Sequence, residues 1–407
     1  MSNLHAHSFQ RAMAGLAERQ GDRPGNDFWS WRKVMYRFLE ILSPEDIEHI
    51  AAFAQMEMLE AGYAAQAEFH YLHHAPNGAQ YDQIHETSRR LLAAAKRTGI
   101  GYTHLPVLYM QAGLNGEALD ASQQRFGCLF DAFAHLIEAI KSDANDIAAD
   151  DFILGVAPHS LRAVPPDALD QAAALLPAAP FHIHIAEQMS EVAQVNDKFG
   201  TTPVDWLCKN NHVDQRWCLV HATHMTGPEI KQLATSGAVA GLCPLTEANL
   251  GDGIFPASAF KANGGTFGIG TDSNINISLS EELRQLETSQ RLRDQRRIIL
   301  SDDNVPSNGR ALYQDALKGG ARALGRDSGA IKIGAYADLV ALDDQHVDLV
   351  GLEKDATLDT WIFANATNVI TDVWAAGRHM VENKRHTKHD EITASYRTTI
   401  KKIRAMI

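Results

Sequence analysis

Short apolar runs that end in polar residues alternate along most of the chain with longer stretches in which apolar positions recur every three or four residues. The short runs are typical of buried strands, and the longer stretches predict helices packed on one face. A first strand ending near residue 7 is followed by predicted strands at 63–72, 102–110, 152–158, 181–186, 218–222, 238–243 and 266–270. The predicted helices are 44–61, 83–98, 128–142, 166–176, 202–210, 228–236 and 279–300.

Regular alternation of strands and helices predicts a parallel sheet, and eight repeats over roughly 320 residues predict a closed (β/α)8 TIM-type barrel. We assign residues 1–325 to this metal-dependent catalytic barrel. The segments 331–342 and 369–381 are β-rich and punctuated by glycine, which predicts strands of a small β-domain over 326–385. The charged tail predicts a C-terminal helix over 386–407.

Composition narrows the class of protein. The chain has 407 residues, 45% of them hydrophobic and 21% charged, as is usual for a globular protein. Its formal charge of −13 argues against a nucleic-acid partner, which needs a basic face. The four cysteines form no CxxC pair, which predicts reduced thiols in a cytoplasmic protein. The absence of a long apolar run or a signal peptide predicts no membrane partner.

Four residues at predicted strand ends carry metal-binding side chains. His5 and His7 face the same side of the first strand because residues two apart share a face. His184 closes the fifth predicted strand and Asp272 follows the eighth. Barrel sites collect residues from the carboxyl ends of different strands. Three imidazoles and a carboxylate suit one divalent ion, zinc as first choice, that keeps a position for water; iron, manganese and nickel accept the same donors.

Three residues at the same predicted face are candidates for catalysis. Glu187 lies just beyond the fifth strand, where a carboxylate can carry protons between the water and a leaving nitrogen. Nucleobase deaminases, which have a different fold, also transfer protons through a glutamate that is not a zinc ligand. His221, at the end of the sixth strand, is a candidate to stabilise developing charge. Asp272 is a candidate base as well as a ligand, because a metal lowers the pKa of its water.

Other polar residues of these strands receive structural predictions. His182 shares a face with His184 but lies one pleat deeper, which predicts a hydrogen-bonded interior histidine. For Glu68 and His70, on the second strand, the pattern leaves two roles open: partners of the metal ligands, or interior packing.

The residues around these positions resemble the amidohydrolase superfamily, and within it the mononuclear zinc deaminases. The local strings are similar to those of formimidoylglutamate deiminases of histidine degradation, across essentially the whole chain. They are NLHAHSFQRAMAGL at 3–16, EFHYLHH at 68–74, APHSLRAV at 157–164, HIHIAEQ at 182–188 and TDSN at 271–274.

The resemblance implies hydrolysis of N-formimino-L-glutamate to N-formyl-L-glutamate and ammonia. That small-molecule substrate is an amidine with two carboxylates, and arginine is the preferred bidentate partner of a carboxylate. Arg32 is expected in the long loop after the first strand and Arg162 after the fourth. The resemblance also implies a homodimer, with the loop around Arg32 at its interface. By resemblance, substrate binding is assigned to Gln10, Arg32, Tyr71, His159 and Arg162.

Two other functions compete with this hypothesis. The first is a deaminase of a guanine-, cytosine- or thioadenosine-like ring, which would share the metal site but would need stacking surfaces rather than two guanidinium groups. The second is a non-catalytic pseudoenzyme stabilised by a metal. The presence of Glu187 and His221 argues against it, since a structural zinc needs neither.

The beginning of the chain departs from the pattern of the family. Its members begin with strands that precede the barrel and join the C-terminal strands in a β-sandwich, whereas only four residues precede His5. We therefore expect an N-terminally truncated β-sandwich with uncovered edges. We also expect this chain to melt at a lower temperature than a version extended upstream.

Overall fold

A computed structural model describes residues 1–18, 28–364 and 366–406. It contains a ring of parallel strands at the eight predicted positions. The fourth position is split into two short segments that both pair with the third strand. The strands are β1 Ser2–Ala6, β2 Ala65–His70, β3 Gly101–Leu108, β4 Ile153–Leu154, β5 Ala157–Pro158, β6 Phe181–Ile185, β7 Trp217–His221, β8 Val239–Leu242 and β9 Thr266–Ile269.

The ring closes at two seams between its halves. At the first seam, the Asp272 amide donates to the His5 carbonyl at 2.9 Å, and the His7 amide donates to the Asp272 carbonyl at 2.9 Å. At the second, the Val156 amide donates to the Pro180 carbonyl at 3.0 Å. The barrel is therefore a closed (β/α)8 barrel, as the alternating pattern predicts, and its strands are almost entirely buried.

Helices surround the barrel, and most begin where the sequence supplies a start signal. In α2, for example, the Ser43 side chain and Asp46 cap the helix reciprocally, and proline follows at the first helical position. The helices are α1 Phe28–Leu39, α2 Pro44–Glu60, α3 Glu86–Thr98, α4 Phe130–Ile147, α5 Pro166–Leu175, α6 Met189–Phe199, α7 Pro203–Asn210, α8 Gly227–Ser236, α9 Pro244–Leu250, α10 Ala257–Ala262, α11 Leu279–Asp294 and α12 Asn308–Ala323.

Two predictions about this layer are wrong. Arg32 does not lie in a loop. It belongs to α1, and its side chain lines the cavity at the barrel mouth. The helix expected over 279–300 ends at Asp294, because Gln295 adopts a left-handed φ of 52°.

A four-stranded antiparallel sheet follows the barrel. Its strands are β10 Leu339–Leu342, β11 Ile370–Ala375, β12 Arg378–Glu382 and β13 Arg385–His386, with α13 Ala356–Phe363 inserted and α14 His389–Arg404 at the end.

The first strand of this sheet is shorter than predicted. Residues 331–338 form no strand: the chain turns at 333–335, where Gly334 takes a φ of 91°, and Ile331 and Ile333 are exposed. The C-terminal helix begins at His389 rather than at 386, because Arg385–His386 pair with β12. The truncation of the β-sandwich and the domain boundaries at 325 and 385 stay predictions.

The small sheet and the last helix are bound to the barrel through buried charges and polar contacts. Arg326, which follows α12, pairs with Asp151 at 3.0 Å and with Asp338 at 2.8 Å. Lys402 of α14 donates to Asp46 of α2 at 2.6 Å. No helix among the described residues combines the length and apolar character needed to cross a membrane.

Candidate active site

The four predicted metal ligands meet at the carboxyl end of the barrel. His5 lies in β1 and His7 directly after it, His184 lies in β6, and Asp272 follows β9. All four are buried, with His5 fully inaccessible. Asp272 lies beside His5 and His7 because backbone hydrogen bonds at the seam between β9 and β1 hold it next to the first strand.

Three pairs of donor atoms have the spacing of ligands on a shared metal ion. Asp272 Oδ1 lies 3.4 Å from His5 Nε2 and 3.3 Å from His7 Nε2, and His5 Nε2 lies 3.1 Å from His184 Nε2. Zinc–nitrogen bonds of about 2.0–2.1 Å place tetrahedral ligands about 3.3 Å apart. The donors therefore have the chemistry and the separation that a divalent metal requires.

Backbone carbonyls orient two of these imidazoles. His7 Nδ1 lies 2.9 Å from the Phe69 carbonyl and His184 Nδ1 lies 3.1 Å from the His159 carbonyl. A carbonyl only accepts, so Nδ1 carries the proton and the lone pair of Nε2 is directed inward. Burial lowers the pKa of His5 to about 3, which keeps that ring neutral.

A proton-bearing pair lies on the other side of Asp272. His221 Nε2 is 3.8 Å from Asp272 Oδ2 and 3.7 Å from Glu187 Oε1, and its Nδ1 is 3.2 Å from Glu247. Burial by itself lowers the pKa of His221, but Glu187, Glu247 and Asp272 together raise it to about 10. Burial raises the pKa of Glu187. The arrangement provides a cationic imidazole beside a carboxylate that can hold a proton.

Strained backbone accompanies these side chains. Ala186, His221 and Asp272 have φ values of 50°, 68° and 44°, in a region that residues other than glycine seldom adopt. All three come at or just after the end of a barrel strand, where the chain must turn sharply to aim a side chain at the barrel mouth. Such strain is maintained at functional sites by the surrounding structure.

One cavity contains most of the predicted site. Its lining includes His7, His184, Glu187, His221 and Asp272, and it includes all of the residues assigned to substrate binding, which are Gln10, Arg32, Tyr71, His159 and Arg162. His5 lies beneath the lining. The fold therefore brings the predicted metal, catalytic and substrate-binding residues to one place.

Sequence reasoning missed several residues in and behind this cavity. Tyr109, directly after β3, contributes a phenol, and Glu247 holds Nδ1 of His221. Tyr109 stands at a strand end, the signal that singled out the histidines, whereas Glu247 lies in α9 with nothing in its spacing to mark it. The apolar wall is formed by Trp31, Met35, Tyr36, Phe126 and Leu250.

The structure decides the roles of the remaining strand residues. His182 Nε2 lies 2.7 Å from the Ala323 carbonyl in the interior, as predicted. Glu68 accepts hydrogen bonds from the amide and the hydroxyl of Ser8, so it fixes the segment that follows His7. His70 instead packs inside, 3.0 Å from Thr87 Oγ1. Burial raises the pKa of Glu68 to about 7.

A closed parallel barrel with imidazole and carboxylate donors at its carboxyl end defines a metal-dependent hydrolase of the TIM-barrel class. Within that class, the model of the amidohydrolase family matches residues 1–380, and the chain belongs to that family. The resemblance seen in the sequence motifs is thereby confirmed.

Individual relatives agree with this assignment. The chain is 48% identical over 400 residues to formimidoylglutamate deiminase of Pseudomonas aeruginosa, covering 97% of this chain and 87% of the relative. It is 29% identical over 349 residues to 5-methylthioadenosine/S-adenosylhomocysteine deaminase of Halobacterium salinarum, covering 84% of this chain and 71% of the relative.

Solved structures agree as well. An amidohydrolase from Brucella melitensis superimposes with a TM-score of 0.95 at 47% identity, covering 99% of this chain and 88% of that one. An adenosine deaminase from Xanthomonas campestris with bound zinc superimposes with a TM-score of 0.80 at 22% identity, covering 100% of this chain and 85% of that one. The second likeness concerns the fold alone.

Proposed function

We propose that the chain hydrolyses N-formimino-L-glutamate to N-formyl-L-glutamate and ammonia. The observation that carries this proposal is that the metal donor set shares one cavity with two arginines, Arg32 and Arg162. A dianionic amidine needs a metal-activated water at one end and guanidinium groups at the other. The 48% identity to a formimidoylglutamate deiminase supports the same substrate.

Arg162 is suited to bind an anion. Its Nε is buried without a hydrogen-bond partner, and no carboxylate of the described residues lies within ion-pair distance of its guanidinium. The side chain as a whole is half-buried, and a buried donor without a partner is costly. A substrate carboxylate would supply a partner with a negative charge, whereas a neutral heteroaromatic ring would not.

The proposed cofactor is one zinc ion held by His5, His7, His184 and Asp272. When bound, such an ion lowers the pKa of a coordinated water toward about 7 and so supplies the nucleophile at neutral pH. Asp272 takes the proton of the attacking water. Glu187, with its raised pKa, delivers a proton to the departing nitrogen. Cationic His221 stabilises the negative charge that develops at the reacting centre.

Steady-state kinetics test the proposal. Ammonia release is measured with N-formimino-L-glutamate, guanine and cytosine, for the wild type and for Arg162→Ala. We expect turnover of the linear amidine alone, and a loss in kcat/KM of roughly 10²-fold or more in the variant. Arg310→Ala is the matched control, because Arg310 is 46% exposed and pairs with Asp355 at 3.2 Å. Turnover of a ring substrate alone would favour the nucleobase-type alternative.

Metal content separates an enzyme from a metal-stabilised pseudoenzyme. We expect chelation to abolish ammonia release and zinc to restore it at one ion per chain. An active protein with no metal, or a metalloprotein with no activity on any of these substrates, would contradict the proposal. The cytoplasmic location and the homodimer stay proposals, the latter to be tested by light scattering; much of the loop expected at the interface lies outside the described residues.

A further inference from the structure

Tyr109 stands at the junction between the arginine side of the cavity and the metal site. It follows β3, is 4% exposed, and lines the cavity. Its ring packs edge-on against His159 with centroids 4.8 Å apart, and His159 in turn lies 5.0 Å from His184. Tyr109 is therefore separated from a metal ligand by a single imidazole ring.

Two donors converge on the Tyr109 hydroxyl. Arg32 Nη2 lies 3.1 Å and Gln123 Nε2 lies 3.0 Å from that oxygen. A guanidinium N–H can only donate. The orientation of the Gln123 amide is fixed because its Oε1 accepts from the amide of Asp120 at 3.1 Å in a reciprocal helix cap. The phenolic oxygen thus accepts two hydrogen bonds.

The proton of this hydroxyl is left for a third partner. No acceptor for it occurs among the residues at 1–18, 28–364 and 366–406. A phenol that accepts from a cation is also a stronger donor, since hydrogen bonds in a chain polarise one another. The oxygen lies at the wall of a cavity that already has two arginines.

We propose that Tyr109 donates its hydroxyl proton to one carboxylate of the substrate and so determines specificity for a dicarboxylate over a monocarboxylate amidine. The inference rests on the proposed function and adds a residue to it. Arg32 and Gln123 hold the hydroxyl in place, and the substrate oxygen completes its hydrogen bonding.

The test combines one variant with two altered substrates. In Tyr109→Phe we expect kcat/KM for N-formimino-L-glutamate to fall roughly 10- to 100-fold, mainly through KM, because a hydrogen bond to a charged group is lost in binding. N-formimino-L-glutamine lacks the distal charge and 4-(formimino)aminobutyrate lacks the α-carboxylate. With the analogue that lacks the bound carboxylate, wild type and Tyr109→Phe should have equal kcat/KM.

Tyr63→Phe is the matched control, because Tyr63 is buried outside the cavity and its hydroxyl has no partner. Its kinetics should equal those of the wild type. If Tyr109→Phe does not fold, the wild type alone still decides: equal kcat/KM for all three amidines overturns the inference. The inference is also overturned if the replacement Tyr109→Phe lowers kcat/KM by the same factor with both analogues. Failure of the wild type to hydrolyse N-formimino-L-glutamate overturns the proposed function instead.

Discussion

At the scale of single residues, position relative to Asp272 separates the roles of similar side chains. His5 and His7 approach Oδ1 of Asp272 within 3.4 Å, whereas His221 approaches the other oxygen at 3.8 Å and is held from behind by Glu247. Four imidazoles of identical chemistry thus divide into three neutral donors and one cation, because three carboxylates act on His221 whereas Asp272 alone acts on His5 and His7.

Glu187 provides the residue-scale prediction. Glu187→Gln keeps the size of the side chain but cannot transfer a proton, so we expect turnover to fall roughly 10²- to 10⁴-fold. Metal content, measured by elemental analysis, should stay at the wild-type value because Glu187 is not among the proposed ligands. Glu138→Gln, at a side chain 71% exposed, is the control. Near-normal turnover with the metal still bound would rule out proton transfer by Glu187.

At the scale of elements, close contact between a helix and a strand positions the first and last barrel strands. Helix α12 lies directly against β9 at Gly319 and against β1 at Gly320. A Cβ at Gly319 would lie 1.8 Å from the Phe267 carbonyl oxygen, and one at Gly320 would lie 2.8 Å from the Ser2 carbonyl oxygen. Three of the proposed metal ligands lie at or after the ends of these two strands. The glycines therefore support the site by allowing α12 to pack closely against both strands.

Gly319→Ala tests this contact. Alanine within a helix is ordinarily favoured by about 1 kcal/mol over glycine, but overpacking of this contact should reverse the sign and lower the free energy of unfolding by about 1–3 kcal/mol. Urea unfolding measures the change. Gly227→Ala in α8 is the control, since nothing lies within 4 Å of its added methyl group. Equal stability of the two variants would show that α12 shifts without cost.

At the scale of the whole molecule, a buried charge cluster joins the barrel to the small sheet. Arg326 is 1% exposed between Asp151 and Asp338, and Arg378 of β12 reaches Asp151 at 2.9 Å. Removing one member of a buried ion pair costs about 3–5 kcal/mol because the partner charge remains buried. We therefore expect the free energy of unfolding to fall in acid, as this cluster loses charge.

The pKa of Asp338 predicts the direction of that sensitivity. Burial opposes ionisation, but Arg326 lowers the pKa of Asp338 below its ordinary value of 3.8. A lowered pKa in the folded state contributes stability above the unfolded value, and that contribution is lost as the pH falls through the folded pKa. Asp338→Asn should therefore unfold more easily at pH 7, by about 3 kcal/mol, and lose less stability on acidification.

Denaturant titrations between pH 7 and pH 3 measure this effect. Asp327→Asn is the control, because Asp327 pairs with Lys332 where both side chains are more than half exposed, and exposed pairs contribute little. If the stability of Asp338→Asn depends on pH as steeply as that of the wild type, Asp338 is not a source of the acid sensitivity.

The sequence by itself determined the barrel, its strand positions and the grouping of the proposed metal donors. Periodicity of apolar residues reports burial directly, and parallel strands place their carboxyl ends together whatever the loops do. His5, His7, His184 and Asp272 could therefore be grouped across more than 260 residues of chain. Motif resemblance added the family and the proposed substrate-binding residues, which spacing alone could not supply.

Only the tertiary structure decided which neighbours complete the site. Arg32 proved helical, Glu247 came to lie behind His221, and Tyr109 received hydrogen bonds from both Arg32 and Gln123. These contacts join segments that are far apart in the sequence, and no sequence pattern links them. They depend on the conformation of each loop after its strand. Local sequence encodes which face of an element is buried, but the direction of a side chain at a strand end depends on the packing of the whole barrel.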